Sequence, residues 1–496
     1  MPYAAYSTVF VRATPNGEKT QQLLWGDWVE RLPGVDGEWV EVRGRGEHGW
    51  LRQSELQEEQ LLEVCYVDIG QGDGCLVVAP ADATHDRDRF LLVDAGERDN
   101  MARFLSWRFN LHRNPERVIT FDTAVISHPD QDHYKGFQPL FESPQLRFRQ
   151  VFHNGIVERV ATPPVGRVET IDGRQYLTEL CPGQADAAAV VNDPVLAGRK
   201  LYPKLLATAL GSGRVDSLRM ISNRDGHLPG FGPAERLSIQ VLAPVPETLP
   251  DGRSALRWFD PGLSQTGKTK NGHSVVLLAT YGNVRLLLGG DLNTAAEHYL
   301  LAHYTGLDPE PADPAARAAL LAAARPVFAC DVVKACHHGS ADFSTVFLEA
   351  LNPVATVISS GDEEPHCHPR PDTLGAVGKA SRGERPLIFS TELARSTRDQ
   401  IQNPESLRRK LRDLTDKLAE ASTEEERATL KEKINALVAT LERSVAVYGM
   451  ITLRTDGTKV LLAQKLEEPR ALTKEEFDVH LLEPGPDGVL RYQSKH

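Results

Sequence analysis

The sequence predicts a layered α/β sandwich, preceded by a small all-β barrel and carrying an antiparallel helical hairpin near its C-terminus. Apolar strand runs such as LEVCYVDIG, GCLVVAP and FLLVDAG follow one another from Leu61. Continuous Val/Ile/Leu runs of that length indicate strands covered on both faces. Residues 7 to 57 instead show short alternating segments broken by turn formers at Gly34, Asp36, Gly37, Gly46 and Gly49, the pattern of a small antiparallel barrel. Over residues 404 to 444, Leu407, Leu411, Leu414 and Leu418 recur at helical spacing, and Leu430, Ile434, Leu437 and Leu441 repeat it.

The elements divide the chain at residues 1–57 (barrel), 58–400 (α/β unit), 401–444 (helical hairpin) and 445–496 (a returning β-hairpin and tail). A boundary at residue 57 predicts that the chain keeps a folded core when the barrel is removed. Inside the α/β unit the runs TAVISH, LSIQVLAP, HSVVLLAT, VRLLLGGD, CDVVKACHHGS and ATVISSG continue the strand signal. Helices are expected over residues 99–110 and after His133. Residues 155–235, rich in Pro, Gly and Ala, form an insertion whose shape the pattern does not assign. In the hairpin, Ser422 and Glu425 make an S-x-x-E capping box for the second helix. Its leucine stripes either pack on each other or form a weak homodimer seam. In VYGMITLRTDGTKVLLAQ, Asp456-Gly457 marks the turn of the returning hairpin.

At 496 residues the chain is long enough for two or three folding units, and 41% hydrophobic with 25% charged residues suits a globular protein. The formal net charge of −12 excludes a global basic field for a polyanion, so nucleic-acid contact must be local or metal-mediated. No stretch reaches the roughly 18 apolar residues of a membrane helix. The first twenty residues lack the basic start and apolar core of a secretion signal. Cytoplasmic residence without a membrane partner is therefore expected. Six cysteines without C-x-x-C pairing read as free thiols.

The strongest chemical signal is S-H-P-D-Q-D-H, Ser127 to His133, directly after the strand run TAVI. Four metal-competent side chains within six residues, at a strand end, converge; His128, Asp130, Asp132 and His133 can hold divalent ions. A polar loop with Asp130 or Asp132 capping the next helix is the plainer alternative.

The chain resembles the metallo-β-lactamase superfamily, and within it the soluble relatives of the hydrolase domain of ComEC-type DNA-uptake proteins. The residues that carry the resemblance are Val67-Asp68-Ile69-Gly70-Gln71-Gly72-Asp73, Leu92 to Gly96, His128 to His133, Ser274 onward to Leu287-Leu288-Gly289-Gly290-Asp291, Lys334 to Ser340, and His368-Pro369. The resemblance implies an αββα sandwich holding two divalent metal ions, Zn²⁺ or Mn²⁺. His128 and Asp130 would serve one ion and Asp132 and His133 the other, with Asp291 bridging. His338 would be a further ligand, leaving His337 to touch the scissile phosphate or leaving group, with the reverse split open. His368 would be a ligand or a phosphate contact, with Cys367 a plain neighbour. Asp94 would orient the metal loop, while Asp68 and Asp73 would do the same or cap turns. Many members of the superfamily carry a further histidine between loop and bridging Asp, which this subgroup often lacks; His153 is a candidate for it or a structural histidine, with His227 weaker.

Residues 7–57 resemble bacterial Src-homology-three-like domains through Val11-Arg12, Gly26, Gly37 to Val40 and Gly49 to Leu51. Such a barrel would locate the chain on a protein partner or on its substrate. Asp130 stands where classical β-lactamases of the superfamily have histidine, and the harder, more anionic set favours Mn²⁺ more than an all-histidine site would. Two adjacent ions with a bridging hydroxide suit in-line displacement at phosphorus. The expected activity is therefore that of a phosphodiesterase or nuclease, with Lys268, Lys270 and Lys334 available to phosphates. A small-molecule hydrolase acting on a cyclic nucleotide, another phosphoester or a lactone, and a non-catalytic scaffold, are the competing readings.

Overall fold

The computed structural model describes residues 2–361, 366–392, 404–446, 449–466 and 468–494, and it is a mixed α/β protein with several sheets. Its largest sheet has ten strands in the order Leu218–Met220, Val151–His153, Thr123–Ile126, Arg89–Ala95, Gly74–Ala79, Leu62–Tyr66, Ile451–Thr455, Val460–Lys465, Phe477–Pro484 and Leu490–Tyr492. The first four are mutually parallel and the rest pair antiparallel. A second sheet orders Leu237–Ala243, Val276–Tyr281, Val284–Leu288, Val332–Lys334, Ala355–Ile358 and Leu387–Ser390, parallel from Val284–Leu288 onward.

Both sheets carry apolar side chains on two faces. Val64, Val77, Leu91 and Phe152 of the large sheet meet Ile239, Leu277, Leu286 and Val357 of the second in one buried cluster. On the far side of the large sheet, Leu76, Leu92, Ala124 and Val151 pack with Phe104 and Leu105 of helix Asn100–Arg108, Phe137 and Leu140 of helix Phe137–Glu142, and Leu205 of helix Leu201–Gly211. On the far side of the second sheet, Leu278 and Val333 meet Leu300, Leu320 and Phe347, from helices Thr294–Thr305, Pro314–Phe328 and Thr345–Leu351. Burial on both faces explains why these strands read as continuous apolar runs. The parallel strands of both sheets deliver their carboxyl ends to one edge, where open α/β sheets place ligand sites.

The stretch 155–235 belongs to this architecture. Leu218–Met220 is the edge strand of the large sheet, and Val168–Ile171 and Arg174–Leu177 form a hairpin joined to Ser254–Arg257 and Glu247–Thr248. Residues 8–52 form a five-stranded antiparallel sheet around Val9, Val11, Leu23, Val29, Val42 and Leu51. A separate cluster joins Leu24 and Trp25 to Leu61, Leu461, Ala463, Phe477 and Val479, so this sheet is packed on the C-terminal strands of the large one.

Helices Pro404–Glu420 and Glu424–Ala446 pack on each other, and the second also lies along helix Asn100–Arg108. Leu407, Leu411, Leu414, Leu418, Leu430, Ile434 and Leu437 are half-buried, while the Leu441 side chain lies outside the described ones. The cap of the second helix is shifted by one residue from the expected Ser422/Glu425 pair. Thr423 Oγ1 accepts from Glu426 N at 3.2 Å and Glu426 Oε2 accepts from Ser422 N at 3.2 Å. The reason is that Glu426 is the third residue of the first turn, which puts its amide and carboxylate in reach of the two preceding capping groups. Among the described residues no helix is long and apolar enough to cross a membrane.

Candidate metal centre

Strand ends supply the site. Ser127 and His128 follow strand Thr123–Ile126, Asp94 lies near the end of strand Arg89–Ala95, Asp291 follows Val284–Leu288, and His337 and His338 follow Val332–Lys334. The local backbone is strained where side chains must turn inward. Asp94 has φ 56°, and His337 and His338 are both left-handed at φ 48° and 52°. Non-glycine residues in that region cost about 1–3 kcal/mol each, so the surrounding contacts hold them there. Gly72, at φ 103°, lets the loop 70–73 press on the metal loop: a Cβ there would meet the Asp132 carbonyl oxygen at 1.7 Å.

Asp73, His133, Asp291 and His338 form a buried group whose ligand atoms lie within 4.8 Å of one another, a group able to hold a metal ion. Its inner geometry is tighter than that limit. His133 Nε2 lies 3.2 Å from His338 Nε2, and the Asp291 Oδ2 atom is 3.3 Å from the former and 3.2 Å from the latter. Asp132 Oδ2 lies 3.5 Å from His338 Nε2 and accepts from the Gln71 amide at 3.1 Å. An ion with tetrahedral bonds of about 2.0–2.1 Å separates its donors by about 3.3–3.4 Å, so these spacings match the edges of such a shell.

The second nitrogen of each ring decides its tautomer. His133 Nδ1 donates to Asp94 Oδ2 at 2.8 Å, and His338 Nδ1 donates to the Ser359 carbonyl at 3.1 Å. In its neutral form each ring therefore turns its Nε2 lone pair toward Asp291. Asp94 also accepts from Ser127 N and Ser127 Oγ, each at 2.7 Å. Asp73 sits on the Nδ1 side, with Oδ1 3.3 Å from His338 Nδ1 and Oδ2 paired with Lys334. We therefore regard Asp73 as supporting the rings and Asp132 as the better-placed fourth donor. Asp68 accepts from Gly70 N at 3.2 Å, which caps its own turn.

His128 and Asp130 lie beside this group. His128 Nε2 is 3.7 Å from Asp130 Oδ2 and 3.9 Å from Asp291 Oδ2, while its Nδ1 faces the Ser127 and Ser274 hydroxyls. Among the described residues the buried His128 Nε2 and Asp291 Oδ1 have no hydrogen-bond partner, as expected of atoms facing a cation. No protein-family model matches the chain, and no curated protein matches it either.

His337 stands at the rim, a quarter exposed, with Nε2 3.9 Å from Asp291 Oδ2 and its ring 5.8 Å from that of His368. The His368 ring is also 6.3 Å from that of His338. Cys367 is exposed. His153 ends strand Val151–His153, fully buried, its Nδ1 accepting from Gly155 N at 3.1 Å. Among the described residues no hydrogen bond or ion pair joins it to the cluster, and burial lowers its pKa to about 4. His227 pairs through its backbone with Gln240, outside the cluster. Two lysines are placed differently from the reading that gave them to substrate phosphates. Lys334 is 4% exposed and engaged with Asp73, and Lys270 is joined to Asp130 and Glu158. Lys268 remains at the surface, 3.7 Å from Asp342. Asp73 and the lysine pairings carry no local signal, because their partners lie far away in the chain.

The electrostatics favour positive charge at this spot. Burial disfavours charged imidazole, yet the carboxylates of Asp291, Asp94 and Asp132 raise the pKa of His133 well above its ordinary value, and Asp291 and Asp73 do the same for His338. Burial also opposes ionisation of Asp130, but His128 and Lys270 hold its pKa at about 2. His337 moves the other way, because burial lowers its pKa and favours the neutral ring. Because Asp94 fixes the His133 ring, we predict that Asp94→Asn, which tolerates the left-handed backbone, weakens divalent-metal affinity roughly 10–100-fold. Competition against a chromophoric chelator measures this. Unchanged affinity would mean that Asp94 does not orient the ligand.

Behind the histidine loop, Glu297 of helix Thr294–Thr305 is 1% exposed and accepts from Ser344 N, at the cap of helix Thr345–Leu351. Burial raises its pKa from 4.5 to about 8. A carboxyl whose folded pKa is raised contributes full stability below its unfolded value and loses it as pH rises through the folded value. Stability should thus decline between pH 4.5 and 8. Glu297→Gln should remove that decline, a difference on the order of 3 kcal/mol between pH 5 and 9. Urea denaturation across that range tests it, and parallel pH profiles for both proteins would refute it.

Proposed function

We propose that the chain is a metal-dependent phosphodiesterase of the metallo-β-lactamase type, with the αββα sandwich that this implies and a separate Src-homology-three-like barrel at residues 1–57, acting on nucleic acid. The supporting observation is the triangle of His133 Nε2, His338 Nε2 and Asp291 Oδ2, with edges of 3.2–3.3 Å and both Nδ1 atoms already committed to acceptors. His133, His338, Asp132 and Asp291 would hold one divalent ion, and His128, Asp130 and Asp291 a second. When bound, such ions supply Lewis-acid activation of a phosphoryl group and lower the pKa of water.

The chain's own residues do the rest. Asp94 and the Ser359 carbonyl keep the two rings aimed inward, and Gln71 fixes the Asp132 carboxylate. His337 and His368, at the rim with ring centroids 5.8 Å apart, would donate hydrogen bonds to an entering phosphate or a departing oxygen. A neutral His337 donates without adding charge that would repel the ions.

Hydrolysis of bis(p-nitrophenyl) phosphate, single-stranded DNA, double-stranded DNA, RNA and cyclic nucleotides, with Mn²⁺ or Zn²⁺ and with chelator, tests the proposal. Metal-dependent cleavage of the diester and of a nucleic acid is expected. Turnover that persists in excess chelator, or no cleavage by the metal-loaded protein, would overturn it.

A further inference from the structure

Lys270 lies on the short helix Gly267–Gly272, 140 positions along the chain from Asp130, yet its ammonium is joined to Asp130 Oδ1 and stands 3.3 Å from Glu158 Oε1. Its side chain is 12% exposed. The other oxygen of Asp130 accepts from the Asn271 amide at 2.8 Å, with the amide turned so that its NH2 also faces the Gly267 carbonyl. Both oxygens of this carboxylate therefore already meet donors from one helix. Asp132 differs, since it accepts from the neutral amide of Gln71.

The two halves of the centre are thus unlike. One has two imidazoles, Asp132 and Asp291 within ligand spacing. The other has His128, Asp130 and Asp291 at longer spacing, with a fixed cation on one donor. A divalent ion there would sit within a few ångströms of an ammonium shielded from water, where like-charge repulsion is strong. Removing the ammonium would leave Asp130 and Glu158 both uncompensated, and their demand for a cation would rise.

We infer that Lys270 makes the centre unequal: one ion binds tightly at His133, His338, Asp132 and Asp291, while the Lys270 ammonium provides positive charge at the His128–Asp130 half and weakens a second ion there. Lys270 is in this sense a positioning residue that sets metal stoichiometry. The inference rests on the metal-centre reading above, and its test separates the two.

The full chain, stripped with chelator, is titrated with Mn²⁺ and with Zn²⁺ by calorimetry, and bound metal is counted after gel filtration. The wild-type protein should retain one ion per chain, with a second step at least tenfold weaker. Lys270→Met should tighten the second step at least tenfold and leave the first unchanged, whereas Lys270→Arg, which keeps the charge, should behave as wild type. Two equal tight steps in the wild type, or an unaltered second step in Lys270→Met, would overturn the inference while the metal reading stands. Retention of no ion would overturn both. If Lys270→Met does not fold, the Mn²⁺ resonance spectrum of the wild type at two equivalents decides: mononuclear and free Mn²⁺ lines support the inference, and a spin-coupled pair refutes it.

Discussion

Asp291→Ala should lose turnover by on the order of 1000-fold or more and fail to retain metal in either half of the centre. Asp291 Oδ2 is 3.3 Å from His133 Nε2, 3.2 Å from His338 Nε2 and 3.9 Å from both His128 Nε2 and His337 Nε2, so one carboxylate stands between four imidazoles. No other acid among the described residues is placed to replace it between the His128 and His133 halves. Loss of an orienting partner alone costs about 10–100-fold in metal affinity, and loss of the shared ligand should exceed that. The fold should survive, because the strand before it, Val284–Leu288, is paired on both sides by backbone hydrogen bonds. Metal analysis alongside bis(p-nitrophenyl) phosphate kinetics tests this. A variant that binds metal and turns over as the parent does would remove Asp291 from the centre.

The elements that sequence reading reached are those with a local cause. Strand Leu62–Tyr66 is buried at every position, which is why LEVCY reads as a continuous apolar run. His128, Asp130, Asp132 and His133 announce themselves by crowding within six residues. The tandem His337-His338 is visible too, but which ring points inward is decided by two consecutive left-handed backbones that no spacing encodes. Asp73 and Lys334 lie 261 positions apart, and Asp130 and Lys270 140. Such pairings arise only when both sheets deliver their strand ends to one edge, so a lysine that looks free for phosphate proves to be spent on a carboxylate. The strands within 155–235 escape the sequence pattern because they are three or four residues long, too short for periodicity to register.

Removing residues 1–57 should sharply destabilise the remaining chain, contrary to what the strand pattern and turn set of that segment alone suggest. Arg454, in strand Ile451–Thr455 of the large sheet, is 7% exposed. It donates to Glu63 Oε2 at 2.9 and 2.7 Å and to the Trp25 carbonyl at 2.9 Å, with Asp27 Oδ1 at 2.8 Å. Gln22 Oε1 accepts from Glu476 N and Phe477 N at 2.6 and 2.8 Å. Truncation strips Arg454 of two partners, leaves those two amides unmet, and uncovers Leu461, Ala463, Phe477 and Val479. Each of these is a named route to large destabilisation. In the full chain, Arg454→Met leaves Asp27 to Arg45 and Glu63 to Arg108, and should cost about 3–5 kcal/mol, the usual penalty for breaking a buried ion pair from one side. The arginines outweigh burial and hold the Asp27 and Glu63 carboxyls below their ordinary values. Their contribution is therefore complete above the ordinary carboxylate range and lost as pH falls through the lowered values, so the Arg454→Met deficit should shrink below about pH 4. Urea denaturation of both proteins at pH 7 and pH 3 measures it. A 58–496 chain that melts within a few degrees of the full protein would show that the N-terminal sheet folds and acts apart from the rest.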